Sequence, residues 1–161
     1  MKSIVVLGAG RSTSALIEYL ATHSDAAQWH LHVVDQDAET LQAKCAPYPA
    51  VEAHTADLSQ ESIRNSWIDQ ADVVVSMLPA MMHPDVARTC LRMGKHLVTA
   101  SYASEEMKAL DSQAREKGLI FLNECGVDPG IDHMSTMEIL EKIRQKGGEI
   151  TSYESFCGGI L

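Results

Sequence analysis

"VVLGAGRST", residues 5–13, runs a β-branched apolar stretch into a glycine turn and on into "TSALIEYLA", residues 13–21. The first part reads as a buried strand and the last as a helix with an apolar face. Between them Gly8 permits a tight turn, and Gly10 has no side chain to hold a pyrophosphate away from the backbone. The helix that opens here offers free N–H groups and a positive dipole end to an anion. Thr13 stands where this kind of loop often has a third glycine. A strand, a glycine turn and a helix in that order predict the first unit of a parallel sheet that binds a nucleotide.

The same alternation continues outward. "WHLHVVD" (29–35), "VEAHTAD" (51–57), "ADVVVSML" (71–78), "KHLVTAS" (95–101) and "LIFLNE" (119–124) read as further strands. "ADVVVSML" is apolar at consecutive positions, as a central parallel strand buried on both faces should be. Helical patterns separate the strands: "AETLQAKCA" (38–46), "SQESIRNSWIDQ" (59–70) with Ser59 as its N-cap, and residues 83–93 with Val86, Cys90 and Met93 on one face. Met107, Leu110 and Ala114 mark the next helix. A long helix is expected over 129–146, carrying Met134, Met137, Leu140 and Ile143 and stopped by Gly147 and Gly148. Strict alternation predicts an α/β doubly wound parallel sheet, the Rossmann fold. Residues 1–148 are expected to form this dinucleotide-binding domain. Residues 149–161, strand-like and with nothing to pair against, are expected to begin a truncated second domain for substrate and dimerisation.

The chain has 161 residues, 45% of them apolar, which suits one globular domain with a sizeable core. Its 13 basic and 22 acidic residues give a net charge of −9. Such a balance gives no electrostatic reason to bind nucleic acid or an anionic membrane. Cys45, Cys90, Cys125 and Cys157 are far apart, and no Cys/His spacing resembles a zinc motif, so no metal is expected. Isolated thiols and a short N-terminal apolar run fit a reducing, cytoplasmic setting.

Asp35 ends the second strand a little over 20 residues after the glycine turn. A carboxylate there can accept from adenosine ribose hydroxyls and repels a 2′-phosphate, which favours NAD over NADP. It could equally cap the next helix, a role open to Asp37 as well. Asp57 is placed either to reach the adenine or to cap residues 59 onward. An S-adenosylmethionine-dependent methyltransferase shares the topology, but Val6 and Leu7 stand where it usually has an acid, and its loop usually has more glycine.

Ligands of a doubly wound sheet sit at the carboxyl ends of its strands. Three successive connections there hold more than a turn needs: "MLPAMMHPD" (77–85), "ASYAS" (100–104) and "NECGVDPG" (123–130). Each has a plain explanation. Pro79 and Pro84 punctuate, Ser101 or Ser104 can cap a helix, and Asp128–Pro129 reads as an N-cap with proline at the first helical position. All three on one edge favour a site.

"NECGVDPGIDHM" (123–134) resembles the signature of the saccharopine dehydrogenase (glutamate-forming) family, also called saccharopine reductase. "VVLGAGRST", "MLPAMMH", "VTASYAS" and "ESFCGGI" are similar to that family's glycine loop, its proline–histidine segment, its serine–tyrosine segment and the start of its substrate domain. The resemblance implies an NAD(P)-dependent oxidoreductase of lysine metabolism acting on the secondary amine of saccharopine. It implies that Ser101, Tyr102, Asp128, Cys157 and Gly158 line the substrate pocket, with Tyr102 and Asp128 the candidates for proton transfer. It implies that Gly8, Gly10, Arg11, Ser12, Thr13, Asp35, Asp57, Ser76, Leu78 and Pro79 hold the cofactor. His83 and His133 are of a type that could titrate near neutrality, but both read first as structural. Full-length members of the family have a second domain, lacking here, and are expected to dimerise. This chain is then a cofactor domain with half a pocket, inactive alone. Carboxynorspermidine, homospermidine and lysine 6-dehydrogenase enzymes share the architecture. A non-catalytic NAD-sensing domain is the reading from another class, but such a domain has no need of Asp128 or Cys157.

Overall fold

The computed structural model describes residues 2–156, apart from the side chains of residues 26 and 27. Six strands, β1 (Lys2–Leu7), β2 (Trp29–Asp35), β3 (Val51–Thr55), β4 (Val73–Ser76), β5 (His96–Thr99) and β6 (Phe121–Leu122), form one sheet in the order β3-β2-β1-β4-β5-β6. Every neighbouring pair is parallel. The helices are α1 (Ser14–Ala27), α2 (Ala38–Cys45), α3 (Glu61–Gln70), α4 (His83–Met93), α5 (Glu105–Lys108), α6 (Asp111–Glu116) and α7 (Ile131–Gln145). This is the expected doubly wound sheet. Among the described residues no helix is long and apolar enough to cross a membrane.

The period-two alternation of a strand divides β1 between two cores. Val5 and Leu7 pack with Val74 and with Ile68 of α3 and Val86 and Cys90 of α4. Ile4 and Val6 pack on the other side with Val33, Ile17 of α1 and Leu41 of α2. Each fully buried side chain of this size contributes about 1.5–3 kcal/mol. The switch point lies between β1 and β4, where Met77 N–H donates to Leu7 C=O at 2.8 Å. The cleft therefore opens beyond Leu7 and Ser76.

Several expectations need correction. The sixth strand keeps only two residues, because Glu124, at φ 64°, turns its N–H away to Ser101 C=O. Ser59 does not cap α3; the N-cap is Gln60, with no side-chain bond. The helix expected around Met107 to Ala114 is two short ones, with Leu110 between them. The segment 149–156 forms no strand. The long helix starts at Ile131 after Gly130, not at Pro129, and none of its residues is buried. Met134, Met137 and Ile139 stay exposed. The helix lies where its pattern predicts, but of the apolar face Met134, Met137 and Ile143 are exposed and Leu140 is half-buried.

Candidate active site

Two clefts open at the carboxyl edge of the sheet. The first, about 440 Å³, is lined by Gly8, Gly10, Asp35, Leu78 and Pro79 of the expected cofactor set, together with Gln36, Leu58, Ser59, Met77 and Met82. Gly8 is fixed by two constraints. Its φ is +98°, and a Cβ there would stand 3.0 Å from Met77 C=O oxygen. Gly10 differs: a Cβ would meet no atom within 4 Å and would project into open space. The turn thus leaves its cleft side bare, as a pyrophosphate needs.

Thr13 is fully buried, and its hydroxyl donates to Gly10 C=O at 2.8 Å. A threonine therefore closes the loop from behind at the position where glycine was expected. Lys44 of α2, which the sequence reading missed, donates its Nζ to Gly10 C=O and, at 3.1 Å, to Thr13 Oγ1. Nothing in its spacing announces this, since the contact crosses 34 residues. Arg11 and Ser12 are exposed on the short 3-10 turn leading into α1.

Asp35 holds the turn to the sheet. Its Oδ2 accepts from Ala9 N–H at 2.5 Å and its Oδ1 from Asp37 N–H at 2.9 Å. Asp37 is the N-cap of α2, accepting from Glu39 and Thr40 N–H, so the capping role is not Asp35's. Asp57 lies in a turn and accepts from Ser59 N–H, Ser59 Oγ and Gln60 Nε2. These bonds hold its carboxyl below the usual carboxylate range.

Ser76 belongs to a buried relay rather than to the cleft lining. Its Oγ lies 3.0 Å from His83 Nδ1, and His83 Nε2 lies 3.0 Å from Ser101 Oγ. The chain joins the end of β4, the start of α4 and the loop after β5. Burial pushes the His83 pKa down, so the ring is neutral near pH 7 and offers one donor and one acceptor to the two hydroxyls.

The second cleft, about 320 Å³, is lined by Tyr102, Asp128, Asp132, His133, Thr136, Met137, Tyr153 and Ser155. Asp128 caps nothing: α7 begins at Gly130 without a side-chain cap. Instead Tyr102 Oη donates to Asp128 Oδ1 at 2.5 Å. That bond, with desolvation and the surrounding carboxylates, raises the phenol pKa to about 12. Beside them His133 Nδ1 pairs with Asp132 Oδ2 at 2.8 Å, which raises the imidazole pKa. Thr136 Oγ1 and Tyr153 Oη, 2.8 Å apart, close the far side. Ser101 sits behind Tyr102, held by His83. Cys157 and Gly158 lie outside the described residues.

The loop carrying Asp128 is rigid for a backbone reason. Gly126 N–H donates to Pro129 C=O at 2.8 Å, and Ile131 N–H to Gly126 C=O at 2.9 Å. A Cβ on Gly130, at φ +149°, would lie 2.2 Å from Gly126 C=O oxygen. Cys125 N–H and Glu124 N–H donate to Thr99 and Ser101 C=O, and Glu124 Oε1 accepts from Ala103 N–H. The third connection is thereby fastened to the second, and Asp128 faces Tyr102.

Comparison with known proteins points to one family. Residues 4–122 match the family model described as saccharopine dehydrogenase NADP binding domain, and residues 126–161 that of the saccharopine dehydrogenase C-terminal domain. The chain is 36% identical over 174 residues to an alpha-aminoadipic semialdehyde synthase of Arabidopsis thaliana, covering 98% of this chain and 16% of that protein. It is 31% identical over 160 residues to the NADP(+), L-glutamate-forming saccharopine dehydrogenase of Schizosaccharomyces pombe, covering 99% of this chain and 35% of that one. Apo saccharopine dehydrogenase (L-Glu forming) from Saccharomyces cerevisiae superposes with a TM-score of 0.78 at 28% identity, covering 91% of this chain and 32% of the other. The chain therefore spans about a third or less of these relatives.

Proposed function

Because the chain belongs to the saccharopine dehydrogenase family, an oxidoreductase family whose NAD(P)-binding fold it carries, we propose that it is the cofactor-binding part of an enzyme acting on the secondary amine of saccharopine. A hydride leaves the carbon beside that amine and a proton leaves the nitrogen, giving an imine. Water then cleaves the imine to glutamate and 2-aminoadipate semialdehyde. Bound nicotinamide dinucleotide supplies the hydride acceptor. Gly8, Gly10 and the N-terminus of α1 hold its pyrophosphate, and Asp35 faces the adenosine ribose. NAD is the proposed partner because of that carboxylate; the family description favours the rival, NADP.

The observation that carries the reading is an Asp128 carboxylate held by Tyr102 in an open pocket, free of any capping duty. A substrate amine is cationic, and a carboxylate there neutralises it. Tyr102, kept a phenol, donates rather than accepts. Ser101, Cys157 and Gly158 complete the substrate contacts in this proposal, and residues 1–148 form its cofactor domain.

The test is turnover by the full-length protein. Saccharopine with NAD or NADP is expected to yield glutamate and reduced nicotinamide in equal amounts. The 161-residue chain alone is expected to stay well below about 1 per second, an ordinary enzyme's rate. Absence of turnover with saccharopine, and turnover with carboxynorspermidine, homospermidine or a free lysine amine, would move the substrate assignment.

A further inference from the structure

The outer edge of the sheet carries three ligand-bearing side chains that neither cleft uses. Glu52 and His54 are two apart on β3 and so point to the same side. The parallel register sets His32 of β2 beside Glu52. The three polar ends meet at one point. His32 Nδ1 lies 3.2 Å from His54 Nε2, and Glu52 Oε2 lies 3.5 Å from His32 Nδ1 and 3.9 Å from His54 Nε2. Trp67 of α3 lies under the rings, its centroid 4.4 Å from that of His54.

A hydrogen bond between two neutral imidazoles would account for the 3.2 Å contact. It would not account for Glu52, whose oxygen is aimed at the same point from distances at or beyond hydrogen-bond reach. Ligands about 2.0–2.1 Å from a tetrahedral ion stand about 3.3–3.5 Å from one another. The observed three separations bracket that spacing. We propose that His32, Glu52 and His54 bind one divalent transition-metal ion of the zinc type, with water in the fourth position. Two imidazoles and one carboxylate suit zinc, copper or nickel, and not calcium or magnesium, which prefer all-oxygen shells. The side chains are 17%, 57% and 32% exposed for His32, Glu52 and His54, so an ion can enter from solvent.

The ion would tie β3 to β2. It would lie three residues before Asp35 on β2, about 10 Å back from the cleft wall. The proposal is independent of the saccharopine reading.

The experiment is a titration of the purified, tag-free protein, first stripped with chelator, using zinc by calorimetry and cobalt by visible absorption. One equivalent is expected to bind more tightly than about 10 µM, with the d–d bands of tetrahedral cobalt. Copper is expected to quench Trp67, and Trp67→Phe to remove the quenching but not the binding. His32→Gln and His54→Gln are each expected to weaken zinc about tenfold or more, and Glu52→Gln less. Glu52 is exposed, so its variant keeps the fold if a histidine variant does not. Binding weaker than about 10 µM, or equal in wild type and all three variants, would overturn the site.

Discussion

Tyr102 Oη donates to Asp128 Oδ1 at 2.5 Å, joining two loops 26 residues apart. The bond explains both partners. Asp128 is oriented by a side chain rather than by a helix terminus. Tyr102, with its pKa raised to about 12, stays protonated throughout the neutral range and cannot serve there as a base. If a protein group takes the amine proton, Asp128 is the better placed of the two.

Asp128→Asn separates a structural duty from a substrate duty. Because Asp128 caps no helix, the melting temperature and the cofactor affinity are expected to stay put. A charge-assisted hydrogen bond to a substrate amine would be lost, lowering catalytic efficiency with saccharopine by about ten- to more than a hundredfold. Steady-state kinetics on the full-length protein, with a thermal melt beside them, make the check. Unchanged kinetics would remove Asp128 from the site.

His83 is expected to matter first for stability. His83→Ala leaves the hydroxyls of Ser76 and Ser101 without their shared partner, at a cost of about 1–3 kcal/mol. The pH dependence has a definite sign. The folded pKa is depressed by burial, so the unfolded chain takes up a proton that the folded chain refuses. The contribution is complete above the unfolded value of about 6.5 and is lost as the pH falls through the lower folded one. His133 has the opposite slope, its pKa being raised by Asp132. The difference between wild type and His83→Ala in denaturant melts is therefore the quantity to follow. It should shrink on acidification, and a gap that widened would contradict the neutral relay.

The parallel sheet was legible because apolar runs and glycine turns are local. β4 and β5 were read from "ADVVVSML" and "KHLVTAS" alone, and Val74 and Leu97 are indeed buried. Asp128 was legible as a candidate site residue through the family resemblance, and it lines the second cleft, but it was misleading as a cap. "DPG" has the composition of a helix start, but the N-cap of α7 is Gly130, at φ +149°, which leaves Asp128 and Pro129 outside the helix. Lys44 on the glycine turn and the His32–Glu52–His54 group were not legible. Both depend on which strands lie side by side, and no spacing within one segment encodes that. The exposed face of α7 shows the converse. Its periodicity gave the helix, but among the described residues nothing covers Met134 and Ile139.

Gly130 and Gly10 lead to opposite expectations. Gly130→Ala would force a Cβ to 2.2 Å from a backbone oxygen at a φ that alanine avoids, so the loop carrying Asp128 must rearrange. A lower melting temperature and lost activity are expected together. Gly10→Ala meets nothing within 4 Å, so the melt should be unchanged. Its methyl group would enter the cleft, and affinity for the dinucleotide should fall by about tenfold or more, or ~1.4 kcal/mol. Calorimetry on the two variants tells them apart; full affinity in Gly10→Ala would place the pyrophosphate elsewhere.

The proposed preference for NAD over NADP rests on Asp35. Its two oxygens already accept from Ala9 and Asp37 N–H, yet each keeps a lone pair for a ribose hydroxyl. A 2′-phosphate brought to the same carboxylate meets a like charge in a partly solvated cleft, at a cost of about 1–4 kcal/mol. Of the cations at this turn, Lys44 is bound to Gly10 and Thr13, and Arg11 is exposed on the turn itself. NAD is therefore expected to bind about tenfold or more tightly than NADP, measured by calorimetry at one ionic strength. Asp35→Asn removes the charge but keeps an oxygen for one backbone N–H, so it should narrow the ratio chiefly by improving NADP. Equal affinities in the wild type, or a ratio unmoved by the substitution, would take cofactor choice away from Asp35 and favour the NADP reading of the family.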